Sequence, residues 1–264
     1  LMVRGEDIHP GCRDREITRP HRTNAGFGLQ AASLADLGGP RQAGLRDLAA
    51  AIDARTAPGR LTGNRMFYRS DFMVQHEATA CLSVRMHSAR TVRAECCNNE
   101  GKRSHHVADG LTFLLRSGAE YRDIFPVWDW QKLPGTTCLQ TAEPETAQTV
   151  WSRGLATTVG GVGDGRHGAC MQHLLNAHLE SRKSWFFGPA GMVCLGAGIR
   201  GRSPGPVVTA LDQSLLQGVV ESPAAAELPR GSHVLRGARW LRHGPWGFVF
   251  PDPVDVSVEL GPKT

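Results

Sequence analysis

"MFYRSDFMVQ", residues 66–75, sets two short apolar runs around a polar break, the pattern of short strands joined by a turn rather than of a helix. The same character recurs downstream. "ACLSVRMHS" (80–88), "GLTFLL" (110–115), "GMVCLGAGI" (191–199), "PVVTALDQ" (206–213) and "WGFVF" (246–250) are short apolar or alternating runs separated by glycine, proline, asparagine and aspartate. "CMQHLLNAHL" (170–179) fits a helix or a strand and loop equally well. Upstream the character differs. Residues 26–54, "GFGLQAASLADLGGPRQAGLRDLAAAIDA", are rich in Ala and Leu with helical spacing in "LRDLAAAI", and "LGGP" divides them into two short helices joined by a Gly-Pro turn. The change falls near residue 60, in "TAPGRLTGN". The expected class is therefore mainly β: a large, mostly antiparallel β-sandwich region preceded by a short helical segment.

Composition narrows the function. With 264 residues, 41% of them hydrophobic and 21% charged, the chain can bury a substantial core and reads as globular. No apolar run approaches the roughly 20 residues of a membrane-spanning helix. The net charge of +5 favours a polyanionic partner: nucleic acid, an anionic membrane or an acidic polysaccharide. Basic residues are scattered, and no zinc-finger or RNA-binding aromatic signature occurs, so nucleic acid falls behind. The seven cysteines (Cys12, Cys81, Cys96, Cys97, Cys138, Cys170, Cys194) form no CxxC pair, which argues for buried free thiols and against a zinc site or disulfide framework. The chain opens "LMVRGEDIHPGCRDREITRP", without the apolar segment of a secretory signal, and closes on "VDVSVELGPKT", which alternates like a strand. Both ends read as parts of something longer.

A resemblance rests on several stretches taken together. "MHSARTVRAECCNNEG" (86–101), "ADGLTFL" (108–114), "YRDIFPVWDWQKLPGTT" (121–137), "GGVGDGRHGACMQ" (160–172), "RKSWFF" (182–187), "VCLGAGI" (193–199) and "WLRHGPWGFVFP" (240–251) resemble, in order and spacing, the family 8 polysaccharide lyases, most similarly the chondroitin AC/ABC branch. The resemblance implies an N-terminal helical toroid and a central β supersandwich of the galactose-mutarotase type. Residues 1–58 would be the end of the toroid and 59–264 the central β domain, cut short at its C-terminal end. It also implies cleavage of an acidic polysaccharide, chondroitin sulfate or hyaluronan, by β-elimination, with no cofactor or metal and no nucleic-acid partner. The complete protein would be a monomer outside the cytoplasm, extracellular or periplasmic.

The reaction states what a site must provide. The proton on C5 of a uronic acid is weakly acidic beside a charged carboxylate, so that carboxylate must be neutralised, a base placed at the proton, and the leaving oxygen protonated. By resemblance, Arg15 and Glu95 belong to the catalytic group, while Arg19 and Asn98 line the sugar cleft. Arg15 and Arg19, in "RDREITRP", are four apart and can converge on a helix or an extended segment, and Pro20 favours the extended form at Arg19. The turn signal "CNNEG" can bring Glu95 and Asn98 to one rim, and Glu95 would then approach Arg15 and orient its guanidinium. Two departures stand out. Asn99 and Gly101 take the places of the family's glycine and second asparagine, and no tryptophan follows in "KRSHHVADG". The only tyrosines, Tyr68 and Tyr121, fall in sheet-like stretches, and the resemblance implies that the family's base tyrosine, its histidine and its neutralising asparagine all belong upstream of Arg15. Trp128 and Trp130 are expected in a core, Asp129 and Asp164 in turns, and His105 and His106 in a surface loop. Two readings from other classes compete: a noncatalytic carbohydrate-binding β module, and a truncated gene product without activity.

Overall fold

A computed structural model describes residues 3–4, 7–8, 25–54, 62–98, 100–141 and 150–263. The chain forms two compact units, Leu1–Gln213 and Ser214–Thr264. The first begins with an antiparallel pair, β1 (Val3–Arg4) and β2 (Asp7–Ile8), followed by α1 (Ala25–Asp36) and α2 (Gln42–Asp53). The two helices bury Ala31 and Ala35 of α1 and Ala49 and Ile52 of α2, the small alanines permitting close approach. Gly38 (φ 77°) and Gly39 (φ 101°) make the connection in the left-handed region that favours glycine. The helical hairpin expected over 26–54 is present, with "LGGP" as its turn.

After residue 62 the fold is built from antiparallel sheets. The strands β3 (Gly63–Phe67), β4 (Phe72–His76), β5 (Cys81–Arg85) and β6 (Leu111–Leu115) form a meander in chain order. The opening decapeptide is thus the end of β3, a tight turn closed by Ser70 N–H donating to Phe67 O at 3.0 Å, and most of β4. Strand β4 is buried along its whole length, so both of its faces meet protein. One face carries Phe72 and Val74 beside Cys81, Leu111, Phe113 and Leu115, and packs on Tyr121, Phe125, Trp128 and Trp130. Phe113 and Tyr121 meet edge to face at 4.8 Å.

The other face meets a second sheet, in which β8 (Val159–Gly163), β9 (Gly168–Leu175), β10 (Leu179–Gly188) and β11 (Gly191–Gly201) run in the order β11-β10-β9-β8. "CMQHLLNAHL" therefore resolves as strand, turn and strand start. Along β10 burial alternates residue by residue, with Ser181, Lys183, Trp185 and Phe187 inward. The sheets are fastened by Gln75 Nε2 donating to Arg166 O at 2.9 Å and by Asn64 N–H donating to Gly165 O at 2.9 Å. Gly110 (φ 88°) lets the chain pass Trp185, since a Cβ there would stand 2.8 Å from the indole. A short pair, β7 (Thr137–Leu139) and β12 (Val207–Thr209), completes the unit.

The second unit is a three-stranded sheet of β13 (Val220–Glu221), β14 (Gly231–His243) and β15 (Trp246–Leu260). Its core is Val220, Leu228, Leu235, Ala238 and Leu241, with Phe248, Val256 and Val258 against them. The alternation read in "VDVSVELGPKT" forms the end of β15. Among the described residues the cysteines are thiols outside any disulfide, with Cys81, Cys138 and Cys170 buried, Cys96 and Cys97 half-buried and Cys194 exposed. Burial in an apolar setting pushes the Cys170 thiol up to about 12.

Candidate functional site

The segment between β5 and β6 is a long loop anchored from below. Asp71, fully buried with φ 47°, accepts hydrogen bonds from Ser88 Oγ at 2.6 Å and Thr91 Oγ1 at 3.0 Å, and pairs with the Arg90 guanidinium. Residues 92–94 then run beside 150–153, with Val92 bridged to Arg153, Arg93 N–H donating to Ser152 O at 3.1 Å and Ala94 N–H to Val150 O at 3.2 Å. Glu95 follows this tether. It is half-buried, and its carboxylate lies 3.4 Å from Cys97 Sγ. The chain then turns, with Glu100 N–H donating to Cys97 O at 2.8 Å and Asn98 exposed at φ 52°, a geometry asparagine tolerates well. The chain turns between Cys97 and Glu100, which places Asn98 outward three positions after Glu95.

Beneath the loop lies a polar core. Asp109 accepts from His106 Nδ1 at 2.7 Å and sits 3.3 Å from His87 Nδ1, while His106 Nε2 lies 3.2 Å from Cys138 Sγ. Gln172 Nε2, from β9, donates to His87 O at 3.2 Å and Ala108 O at 3.0 Å. Although burial alone would raise the Asp109 carboxyl, the charges of Arg93, His106 and His87 hold it far below its ordinary range. Burial disfavours the His106 imidazolium, yet its bonds to Asp109 and Cys138 prevail and raise it to about 10. His87 is lowered, chiefly by burial. The surface-loop expectation for His105 and His106 is corrected here: both are buried in a 3-10 turn at Ser104–His106, which brings the His106 ring to Asp109 and Cys138.

One functional candidate was not legible in the sequence. Trp151 is 46% exposed, and its indole Nε1 donates to Cys96 O at 2.9 Å, which fixes an aromatic face against the Glu95–Asn98 turn. It stands just after 142–149, where no pattern of apolar residues places it, so distance along the chain concealed the pairing. Exposed cations flank the turn along the chain, Arg90 before it and Lys102 and Arg103 after it, and the Arg153 guanidinium lies 3.4 Å from Arg90 O. An aromatic platform, an amide, a carboxylate and several guanidiniums suit a polyanionic sugar chain, whose ring faces stack and whose acid groups pair.

Arg15 and Arg19 lie outside the described residues. Tyr121 is buried, donates to Asp212 Oδ1 at 2.7 Å, and has its hydroxyl pushed well above its ordinary value by burial and by that carboxylate, the opposite of what a base requires. Trp128 and Trp130 are core residues, and Asp129 and Asp164 cap turns by accepting backbone N–H bonds. Among the described residues no group of three or more His, Cys, Asp or Glu is arranged to hold a metal ion. Among the described residues no helix is long and apolar enough to cross a membrane.

Comparison with known proteins fits this geometry. A chondroitinase-AC of Pedobacter heparinus is 35% identical over 199 residues, covering 74% of this chain and 28% of that protein. A hyaluronate lyase of Thermasporomyces composti is 33% identical over 214 residues, covering 74% of this chain and 26% of that protein. The chain therefore spans less than a third of the length of these curated relatives. Among solved structures, a chondroitinase AC lyase studied as enzyme-oligosaccharide complexes superimposes with a TM-score of 0.89 at 29% identity, covering 98% of this chain and 39% of that one. The family model for "Polysaccharide lyase family 8, super-sandwich domain" matches residues 62–264, and on that match this chain belongs to polysaccharide lyase family 8.

Proposed function

We propose that this chain is the central β part of a lyase that cleaves chondroitin sulfate or hyaluronan by β-elimination, with residues 1–58 closing a helical domain and 59–264 forming the β domain. The observation that carries the reading is the exposed Trp151 indole, bonded to Cys96 O beside Glu95 and Asn98. In this reading Trp151 stacks a sugar ring, Asn98 donates to sugar or carboxylate oxygens, and Glu95 orients a guanidinium, assigned to Arg15, with Arg19 next to it in the cleft. The residues of this chain bind and orient the polymer. The base that removes the C5 proton comes from elsewhere in the complete protein, since Tyr121 is buried against Asp212 and the 61%-exposed Tyr68 sits in the β3–β4 turn.

Residues 1–264 alone then bind chondroitin sulfate weakly and do not turn it over. The complete protein acts outside the cytoplasm, because a long polyanion does not cross a membrane to reach it. The test is ultraviolet absorbance of the unsaturated uronate product. The complete protein should generate it, and Asn98→Ala should lower kcat/KM by about 10- to 100-fold. Robust turnover by residues 1–264 alone, or full activity in Asn98→Ala, contradicts the assignment.

A further inference from the structure

The outer face of the β8–β11 sheet is divided. One end is apolar, with exposed Val162, Met171, Phe186, Val193 and Leu195. At the other end a β-bulge shifts the pairing of β10 with β11 between Glu180 and Arg182, so that Glu180 pairs with Arg200 and Arg182 with Ala197. The intervening Gly198 adopts φ 59°, and a Cβ there would stand 3.2 Å from an Arg182 guanidinium nitrogen. The bulge thereby gathers charge. Glu180 Oε1 lies 3.1 Å from His173 Nε2 and 3.6 Å from Arg182 Nη2, and Oε2 lies 3.2 Å from Arg202 Nη2. Arg202 is tied in place by its N–H donating to His178 O at 2.8 Å. The Arg182 and Arg202 side chains are 58% and 45% exposed, and Arg200 is exposed too.

We propose that Arg182, Arg200 and Arg202 form a second polysaccharide-binding site, an anchoring subsite for the sulfate and carboxylate groups of an acidic glycosaminoglycan, separate from the Glu95–Asn98–Trp151 cleft. Two guanidiniums, those of Arg182 and Arg202, share the Glu180 carboxylate, and with Arg200 opposite Glu180 in the ladder three arginines stand against one glutamate, a surplus of two positive charges on one sheet end. The bonds from His173 and Arg202 hold the Glu180 carboxyl below its ordinary value, so Glu180 stays charged and competes with an incoming anion for the guanidiniums. An apolar sheet can cover the Phe186–Leu195 end, but covering the arginine end would strip water from unneutralised guanidiniums, which is strongly unfavourable. That end stays wet, and a polyanion is the partner whose charge completes it. The inference rests on the reading of acidic polysaccharide as the substrate class.

The test uses residues 1–264 and measures affinity for chondroitin sulfate and for chemically desulfated chondroitin at low salt. The triple variant R182Q/R200Q/R202Q should bind the sulfated polymer about tenfold more weakly, three exposed ion pairs being individually small. Glu180→Gln should bind about threefold more tightly because the competing carboxylate is gone. Glu227→Gln, an exposed change of the same net charge in the second unit, should leave affinity unchanged. A larger loss on the sulfated polymer assigns the sulfate ester as the ligand, and an equal loss on both assigns the carboxylate. Wild-type affinity in the triple variant, Glu180→Gln no tighter than Glu227→Gln, or tighter and equally patch-dependent binding of a DNA duplex overturns the proposal. The cleft reading fails separately: there Trp151→Ala binds as wild type while the triple variant still loses affinity.

Discussion

Asp71→Asn tests how the candidate cleft wall is held. The wild-type carboxylate is fully buried and receives three donors: Ser88 Oγ at 2.6 Å, Thr91 Oγ1 at 3.0 Å and the Arg90 guanidinium. Asparagine keeps the volume and tolerates φ 47°, so backbone strain does not enter. It offers one acceptor oxygen and one NH2 group, and at least one of the three donors must then face another donor. Hydrogen bonds to a charged group contribute about 1.5–3 kcal/mol each, and an orphaned buried donor costs about as much. Arg90 is 54% exposed, so its share is discounted to at most about 1 kcal/mol. The expected loss is about 2 kcal/mol, which lowers the melting midpoint by about 4–8 °C for a protein of this size. Thermal melting followed by near-UV circular dichroism measures it. Affinity for chondroitin sulfate should fall with it, because the Asp71 anchor sets the path of the chain toward Glu95. A midpoint within about 1 °C of wild type would refute the reasoning.

Other outcomes follow from the same contacts. Gly110→Ala should cost about 3 kcal/mol or more, since it combines φ 88° with a Cβ 2.8 Å from Trp185, whereas Gly165→Ala, at φ 90° with nothing within 4 Å, should cost only about 1 kcal/mol; chemical denaturation compares them. Tyr121→Phe removes the bond to Asp212 and should destabilise by about 1 kcal/mol without changing polysaccharide affinity. The buried histidines impose opposite pH limbs. His106, raised from 6.5 to about 10, contributes stability that is fully present below pH 6.5 and is lost as pH rises toward about 10, and His106→Gln should flatten that alkaline limb in denaturation measured across the window. His87 and Asp109 are both lowered, so their contributions are present above their ordinary values of 6.5 and 3.8 and fade on acidification.

Much of the fold could be read because its signals were local. "LGGP" punctuates the helical hairpin, and the run "KSWFF" marks β10 as a strand, although its alternation of buried and exposed residues, with Lys183 inward and Phe186 outward, does not show in the residue types. "FMVQH" was harder, since a strand buried on both faces shows no alternation, and only neighbouring turns mark it as a strand. The candidate site was legible where it was local, in the turn after Glu95. It was hidden where it depended on long-range closure: Trp151 meets Cys96 across 55 positions and Cys138 meets His106 across 32. The histidines of "SHHVADG" read as polar loop residues because nothing in sequence shows that Asp109, two strands and a thiol would close around them.

The most direct measurement is a crystal structure of the complete protein with a chondroitin sulfate oligosaccharide bound. The account predicts a sugar ring stacked on Trp151, Asn98 within hydrogen-bond distance of that sugar or its neighbour, and the Glu95 carboxylate paired with Arg15. An oligosaccharide bound in the cleft away from Trp151, with Glu95 and Arg15 on opposite sides of the sheet, would contradict it.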